Sequence, residues 1–220
     1  MFKNRTDAGV RLAQRLDHIA GLDPVIVGLT RGGVPVAAAV AERLCAPLEI
    51  AIVRKLGIPH RREIGFGAIG EDGVLVLDEE VVRAARITEV ERAVTERHER
   101  VAVERQIRLF RAGRNRLDVR GRTVVVVDDG IAVGTTAAAG CDMVRAAGAS
   151  SIVLAVPVAT AETLKRFVNR VEETLSLLTP AELGCVGRFY EDFSQVSDTA
   201  VIELLDVAER RSNDGTLRDQ

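Results

Sequence analysis

Val124-Val125-Val126-Val127-Asp128-Asp129-Gly130-Ile131-Ala132-Val133-Gly134-Thr135-Thr136 is the stretch that decides the fold. Four β-branched residues in a row favour a strand, and a run apolar at every position suits one buried on both faces, as in a parallel sheet. Two adjacent carboxylates then emerge at its carboxyl end. A loop of small residues follows, and 135–147 reads as a helix ended by Gly148. The N–H groups and dipole at the start of that helix suit a phosphate, with Thr135 and Thr136 adding hydroxyl donors. Asp128 and Asp129 accept hydrogen bonds only, when ionised, and so suit sugar hydroxyls or a hydrated magnesium ion. Together these describe a ribose 5-phosphate socket. The plain alternative is a strand, a turn and a helix with capping acids. It leaves unexplained why two carboxylates follow four valines, a costly placement without a ligand.

Upstream, Pro24–Leu29 reads as a strand, Thr30-Arg31-Gly32-Gly33 as a tight loop, and the Ala/Val-rich segment to Leu44 as a helix. Leu48–Leu56 reads as one further strand. Ile64–Ile69 and Val74–Leu77 flank Glu71-Asp72-Gly73, a hairpin signal. A helix over 6–20, capped by Thr6 or Asp7, precedes all of this. Downstream, 151–158 and 174–178 read as strands and 160–170 as a helix. A last helix starts at Ser197 or Asp198 and runs to about Arg210. Alternating strands and helices predict an α/β fold: a doubly wound parallel sheet flanked by helices, with ligands at the carboxyl ends of its strands. The expected organisation is one domain over 1–210 and a disordered tail over 211–220.

The chain of 220 residues is 47% hydrophobic and 28% charged, enough for a real core at good solubility. Its net charge of −2 gives no global basic field and argues against a nucleic-acid partner. Residues 79–112 are rich in Arg and Glu. Thr88 and Glu91 form a capping box, and Glu96/Arg100 and Glu104/Arg108 are expected i,i+4 pairs. Interleaved acids favour a solvated helix there over a nucleic-acid-binding stripe. The three cysteines and three histidines are scattered, so no metal cluster is visible, and no stretch approaches a membrane span. A cytoplasmic protein is expected.

Three further segments carry candidate chemistry. In Thr30-Arg31-Gly32-Gly33 the glycines let backbone approach an anion, and Arg31 offers a planar fork for phosphate oxygens. Arg54-Lys55 ends a strand at the same predicted edge. Gly57-Ile58-Pro59-His60-Arg61-Arg62-Glu63 combines Gly, Pro and three basic residues, the composition of a mobile lid. Near the C-terminus, Phe189, Tyr190 and Phe193 gather much of a scarce aromatic content. They form either a stacking surface for a base or a local apolar mini-core.

The acid-containing stretch resembles the ribose-phosphate signature of type I phosphoribosyltransferases. GLTRGGVPVA (28–37), VRKLGIPHRREIGFGAIGEDG (53–73), AVPVA (155–159) and VGRFYEDFSQVSD (186–198) extend the resemblance over most of 24–202. It is to bacterial members whose accepting base is undefined. The resemblance implies a type I phosphoribosyltransferase-like sheet with a flexible lid hairpin and a small hood at about 179–196. It implies transfer of phosphoribosyl from phosphoribosyl diphosphate to a nitrogenous base, with magnesium held indirectly through Asp128 and Asp129. These two acids would hold the ribose hydroxyls, and Ala132, Val133, Gly134, Thr135 and Thr136 the 5-phosphate. Thr30, Arg31, Gly32, Gly33, Arg54 and Lys55 would serve the pyrophosphate, with Arg31 and Lys55 stabilising it as it leaves. Phe189 and Tyr190 are the base-contacting candidates, and a homodimer is expected. Val133 departs from the family's usual Thr, which puts affinity in question. Ala132 stands where 6-oxopurine enzymes carry an aspartate. A regulator that binds the same ligand without turnover is the alternative reading.

Overall fold

Val124, Val125, Val126 and Val127 are all inaccessible to solvent. Successive side chains of a strand face opposite ways. Val125 and Val127 therefore join a core with Leu12, Val40 and Leu205, while Val124 and Val126 join another with Ala138, Met143 and Phe167. The two cores lie on the two faces of one sheet. Each fully buried valine is worth about 1.5–3 kcal/mol.

The computed structural model describes residues 1–216; the side chains of Arg62, Glu63 and 213–216, and all of 217–220, lie outside the described residues. In chain order the first elements are α1 (Arg5–Gln14), β1 (Val25–Leu29), α2 (Gly33–Arg43), β2 (Leu48–Ala51), β3 (Val53–Ile58) and β4 (Arg61–Gly70). Next come β5 (Leu75–Leu77), α3 (Glu79–Ala84), α4 (Glu89–Phe110), β6 (Thr123–Val127) and α5 (Thr135–Ala146). The last are β7 (Ser151–Val158), α6 (Ala161–Lys165), β8 (Glu173–Leu178) and α7 (Asp198–Thr216). A five-stranded sheet runs β2-β1-β6-β7-β8, every neighbouring pair parallel. β3, β4 and β5 form a separate antiparallel sheet. Among the described residues, no helix is long and apolar enough to cross a membrane.

Several expectations are corrected. Leu48–Leu56 is two strands, because Ile52 leaves the parallel ladder. Its N–H donates to Glu71 Oε1 (3.2 Å), and its carbonyl accepts from the Glu71 N–H (3.1 Å). Glu71 is buried and its carboxylate is answered by Arg111 at 2.8 Å and Arg116 at 2.7 Å. This ionic knot fastens the base of the hairpin to the end of α4. The first helix is capped by Asn4, whose side chain accepts from the Asp7 N–H, and it ends at Gln14 before a 3-10 turn over Asp17–Leu22. The helix expected over 160–170 is regular only for Ala161–Lys165. The last helix continues to Thr216, so 211–216 is helical rather than a disordered tail. The capping box of Thr88 and Glu91 is present. Among the described residues the pairs Glu96/Arg100 and Glu104/Arg108 do not close; Glu96 meets Arg92 (3.1 Å), and Arg105 reaches Asp198 (3.5 Å).

Candidate functional site

The register of the parallel sheet sets Gly28 beside Val127 and Leu29 beside Ala51. Thr30 and Asp128 thus leave the same sheet edge side by side. The Thr30–Gly33 loop lies directly on the acid pair, and its Thr30–Arg31 peptide is cis. A Cβ on Gly32 would collide with Asp129 Oδ2. One on Gly33 would stand 2.5 Å from the Val127 carbonyl oxygen and 2.8 Å from Asp128 Cα. Only glycine permits that approach.

Two helix starts converge here. α2 begins at Gly33 and α5 at Thr135, and neither has a side-chain cap. Uncapped N–H groups at the positive end of a helix suit an anion. The loop entering α5 is held from below. Thr163 Oγ1 donates to the Ala132 carbonyl (3.1 Å), Arg166 to that of Val133 (3.5 Å), and Gly134, at φ 97°, packs against Phe167. A cavity of about 170 Å³ sits in this loop, walled by Asp128, Gly130–Thr136 and Lys55. Val133 and Ala132 line it without hydroxyls.

The acids themselves are held under tension of charge. Asp128 Oδ1 accepts from the Asp129 N–H at 2.9 Å. Burial, and then the charge of Asp129, push the Asp128 carboxyl well above its ordinary value. Burial also raises Asp129, opposed by Arg5, whose Nε donates to Asp129 Oδ2 at 2.8 Å. Two carboxylates placed so close, with one cation between them and the hood, form an unsaturated acceptor site for hydroxyls or a cation shell. Among the described residues, no group of three or more His, Cys, Asp or Glu is placed to hold a metal.

A larger cleft of about 1210 Å³ opens above, and Lys55 and Thr136 line both cavities. Thr30, Arg31, Gly32 and Asp129 form its floor, Phe193 one side, and Val90 and Val94 of α4 the other. Among the described residues, two buried polar atoms in this cleft, Thr30 Oγ1 and Gln106 Oε1, have no hydrogen-bond partner. Buried polar atoms are rarely left so, and a ligand is one way to satisfy them.

The predicted basic residues are placed around the floor but are partly committed. Arg31 Nη1 donates to Asp198 at the start of α7 (3.2 Å). Arg54 Nε donates to Glu99 of α4 (2.8 Å). Lys55 is exposed and lies over Gly65 of the hairpin. The 57–63 segment forms the tip of the β3–β4 hairpin, with Pro59 and His60 on the cleft wall; Arg62 and Glu63 side chains fall outside the described residues. The aromatic candidates are redistributed. Tyr190 is buried, its ring against Phe2 and Phe193, and its hydroxyl donates to the Asp129 carbonyl at 2.6 Å. Burial pushes that hydroxyl's pKa up. Tyr190 is thus a brace for the acid. Phe189 packs beside it, and Phe193 is the aromatic that reaches the cleft.

Sequence reasoning misses Arg5. It comes from the other end of the chain, and its only trace in sequence is a cation in the first turn of a helix, against the dipole.

The phosphoribosyl transferase domain family matches residues 6–178. "Putative phosphoribosyl transferase Rv0571c" of Mycobacterium tuberculosis is 47% identical over 210 residues, covering 96% of this chain and 47% of its own length. The chain therefore spans about half the length of the curated relatives it matches. The crystal structure of TT1426 from Thermus thermophilus is 37% identical, with a TM-score of 0.75 over 93% of this chain and 97% of that one. AQ2163 from Aquifex aeolicus shares the fold, with a TM-score of 0.51 at 12% identity over 83% of this chain and 78% of that one.

Proposed function

This chain belongs to the phosphoribosyl transferase family, and from that premise we propose that it transfers phosphoribosyl from phosphoribosyl diphosphate to a nitrogenous acceptor, releasing pyrophosphate. The observation that carries the reading is the convergence of two uncapped helix starts on a glycine-bounded acid pair. A ligand with phosphate at one end, hydroxyls in the middle and pyrophosphate at the other matches that sequence of donors and acceptors.

In this reading the 5-phosphate takes the N–H groups of 134–136 and the Thr135 and Thr136 hydroxyls. Asp128 and Asp129 accept from the ribose hydroxyls. The backbone of Thr30–Gly33, the Thr30 hydroxyl, Arg31 and Lys55 receive the pyrophosphate. The C1–O bond to pyrophosphate breaks as the C1–N bond forms, and the acceptor nitrogen gives up its proton. Positive charge gathers on the ring and negative charge on the leaving group, so fixed acids below and cations beside it lower the barrier. Magnesium fits the donor set: Asp128 and Asp129 would hold it indirectly, through water and the ligand's own oxygens. It would supply charge neutralisation at the leaving pyrophosphate.

Asp129→Asn tests this. It should weaken magnesium-dependent binding of phosphoribosyl diphosphate by roughly 1–3 kcal/mol, the size of a lost charge-assisted hydrogen bond. Calorimetry on both proteins measures it, and equal affinities with the fold intact would sink the assignment. Pyrophosphate release against a panel of purine, pyrimidine and amine acceptors then separates an enzyme from a binding protein.

A further inference from the structure

Arg5 opens α1, where a cation works against the helix dipole. Its placement is nonetheless specific. The side chain is 11% exposed, and Nε reaches Asp129 Oδ2 at 2.8 Å. Nη1 donates to the Ser194 carbonyl at 2.8 Å, and the guanidinium carbon stands 3.9 Å from the centre of the Phe193 ring. One side chain thus ties the N-terminal helix, the hood and the ribose-binding acid together.

Asp129 Oδ2 is boxed in as a result. Arg5 occupies one side, and Gly32 lies so close on another that a Cβ there would collide. The Tyr190 hydroxyl holds the main chain of the same residue. Among the described residues no other residue donates a hydrogen bond to Oδ1, and Asp129 lines the large cleft. The restraint has a chemical consequence. A carboxylate anchored by one oxygen presents the other in a fixed direction, and ordering it beforehand removes that cost from ligand binding. A planar guanidinium stacked on a ring and bonded at two points is a stiff anchor in a way an ammonium is not.

We propose that Arg5 is a positioning residue of the donor site: it fixes Asp129 Oδ2 so that Oδ1 meets a ribose hydroxyl of phosphoribosyl diphosphate. This rests on the donor-binding reading above. Arg5 acts through Asp129 and touches neither the ribose nor the pyrophosphate.

The test is a double-mutant cycle read by calorimetric titration with phosphoribosyl diphosphate and magnesium, using wild type, Arg5→Gln, Asp129→Asn and the double variant. Arg5→Gln should weaken binding roughly ten- to a hundred-fold, as expected for one charge-assisted contact. In the Asp129→Asn background the same change should cost little more, because coupled residues are not additive. Arg5→Lys, which keeps the charge without the fork, should fall between wild type and Arg5→Gln, and it takes the place of Arg5→Gln in the cycle if that variant does not fold. Wild-type affinity in the Arg5 variant would overturn the proposal. So would an equal loss in both backgrounds, which would show Arg5 acting on the hood instead. A wild-type protein that fails to bind the donor would overturn the functional reading itself, and the positioning role with it.

Discussion

Val124–Val127, in the strand beneath the site's floor, are sealed on every side, whereas Val90 and Val94 on its α4 wall are 73% and 62% exposed. The floor is held by the parallel sheet, by two glycines that admit no Cβ, and by two helix starts. The outer wall is held by single ion pairs such as Arg54 with Glu99 and by a hairpin tip. Floors of the first kind can accept one ligand geometry. Walls of the second kind can vary without disturbing the core. Under the proposed function, the donor would then sit on the part of the molecule that tolerates least, and the acceptor would face the part that tolerates most.

The largest expected effect lies on the acceptor. Ala132 walls the smaller cavity and has no group to take a proton from a purine ring. A positioned base is commonly worth ~10²–10⁴-fold in rate. Hypoxanthine and guanine should turn over at least that much more slowly than the true acceptor. Steady-state rates for adenine, hypoxanthine, guanine, uracil and orotate would show it, and a 6-oxopurine as best substrate would refute it.

Next comes the floor. In Gly33→Ala the new methyl meets main chain of β6, which cannot yield as a side chain would. A stability loss of ~1–3 kcal/mol is expected from such overpacking, together with weakened donor binding. Denaturant unfolding beside calorimetry checks both; a variant as stable and as tight as wild type would show the floor to be softer than described.

A smaller effect of opposite sign should appear at Asp128. Its folded-state carboxyl is raised by burial and by Asp129, so ionisation works against folding. Asp128→Asn removes that penalty while keeping an acceptor for the Asp129 N–H. Without ligand it should be more stable than wild type by on the order of 1 kcal/mol at neutral pH, while binding donor less well. The gain should be absent below the ordinary carboxyl range and grow as pH rises through the raised value. Thermal melts between pH 4 and 8 measure it, and a variant less stable at pH 7 contradicts the sign.

The least effect belongs to the wall. Val94→Ser should change stability by less than about 0.5 kcal/mol, as exposed substitutions usually do. It should leave donor affinity alone and move only the acceptor's KM. A drop in donor affinity would mean that the wall and the floor are not separate.

Much of the floor is legible in the sequence because it is local. A valine run followed by two acids, a small-residue loop and a helix start lies within Val124–Thr136, and the strand–helix alternation around it implies the parallel sheet. The helix boundaries are less legible: Asn4 rather than Thr6 or Asp7 caps α1, and α7 continues to Thr216. The split at Ile52 leaves no local signal because it depends on a carboxylate 19 residues away. Tyr190 reads either as a base-stacking ring or as part of a local apolar mini-core, and burial against Phe2 and Phe193 decides for the second; composition reveals an aromatic cluster but not which ring is buried.

The sequence by itself determined the strand, the acid pair, the glycine loop and the helix starts, because each follows from residue types adjacent in the chain. Only the tertiary structure decided that Arg5 meets Asp129 across 124 residues, that Tyr190 braces the same acid from the hood, and that α4 stands across the cleft. Those contacts are set by how the two cores close on the sheet, and no local pattern encodes the result.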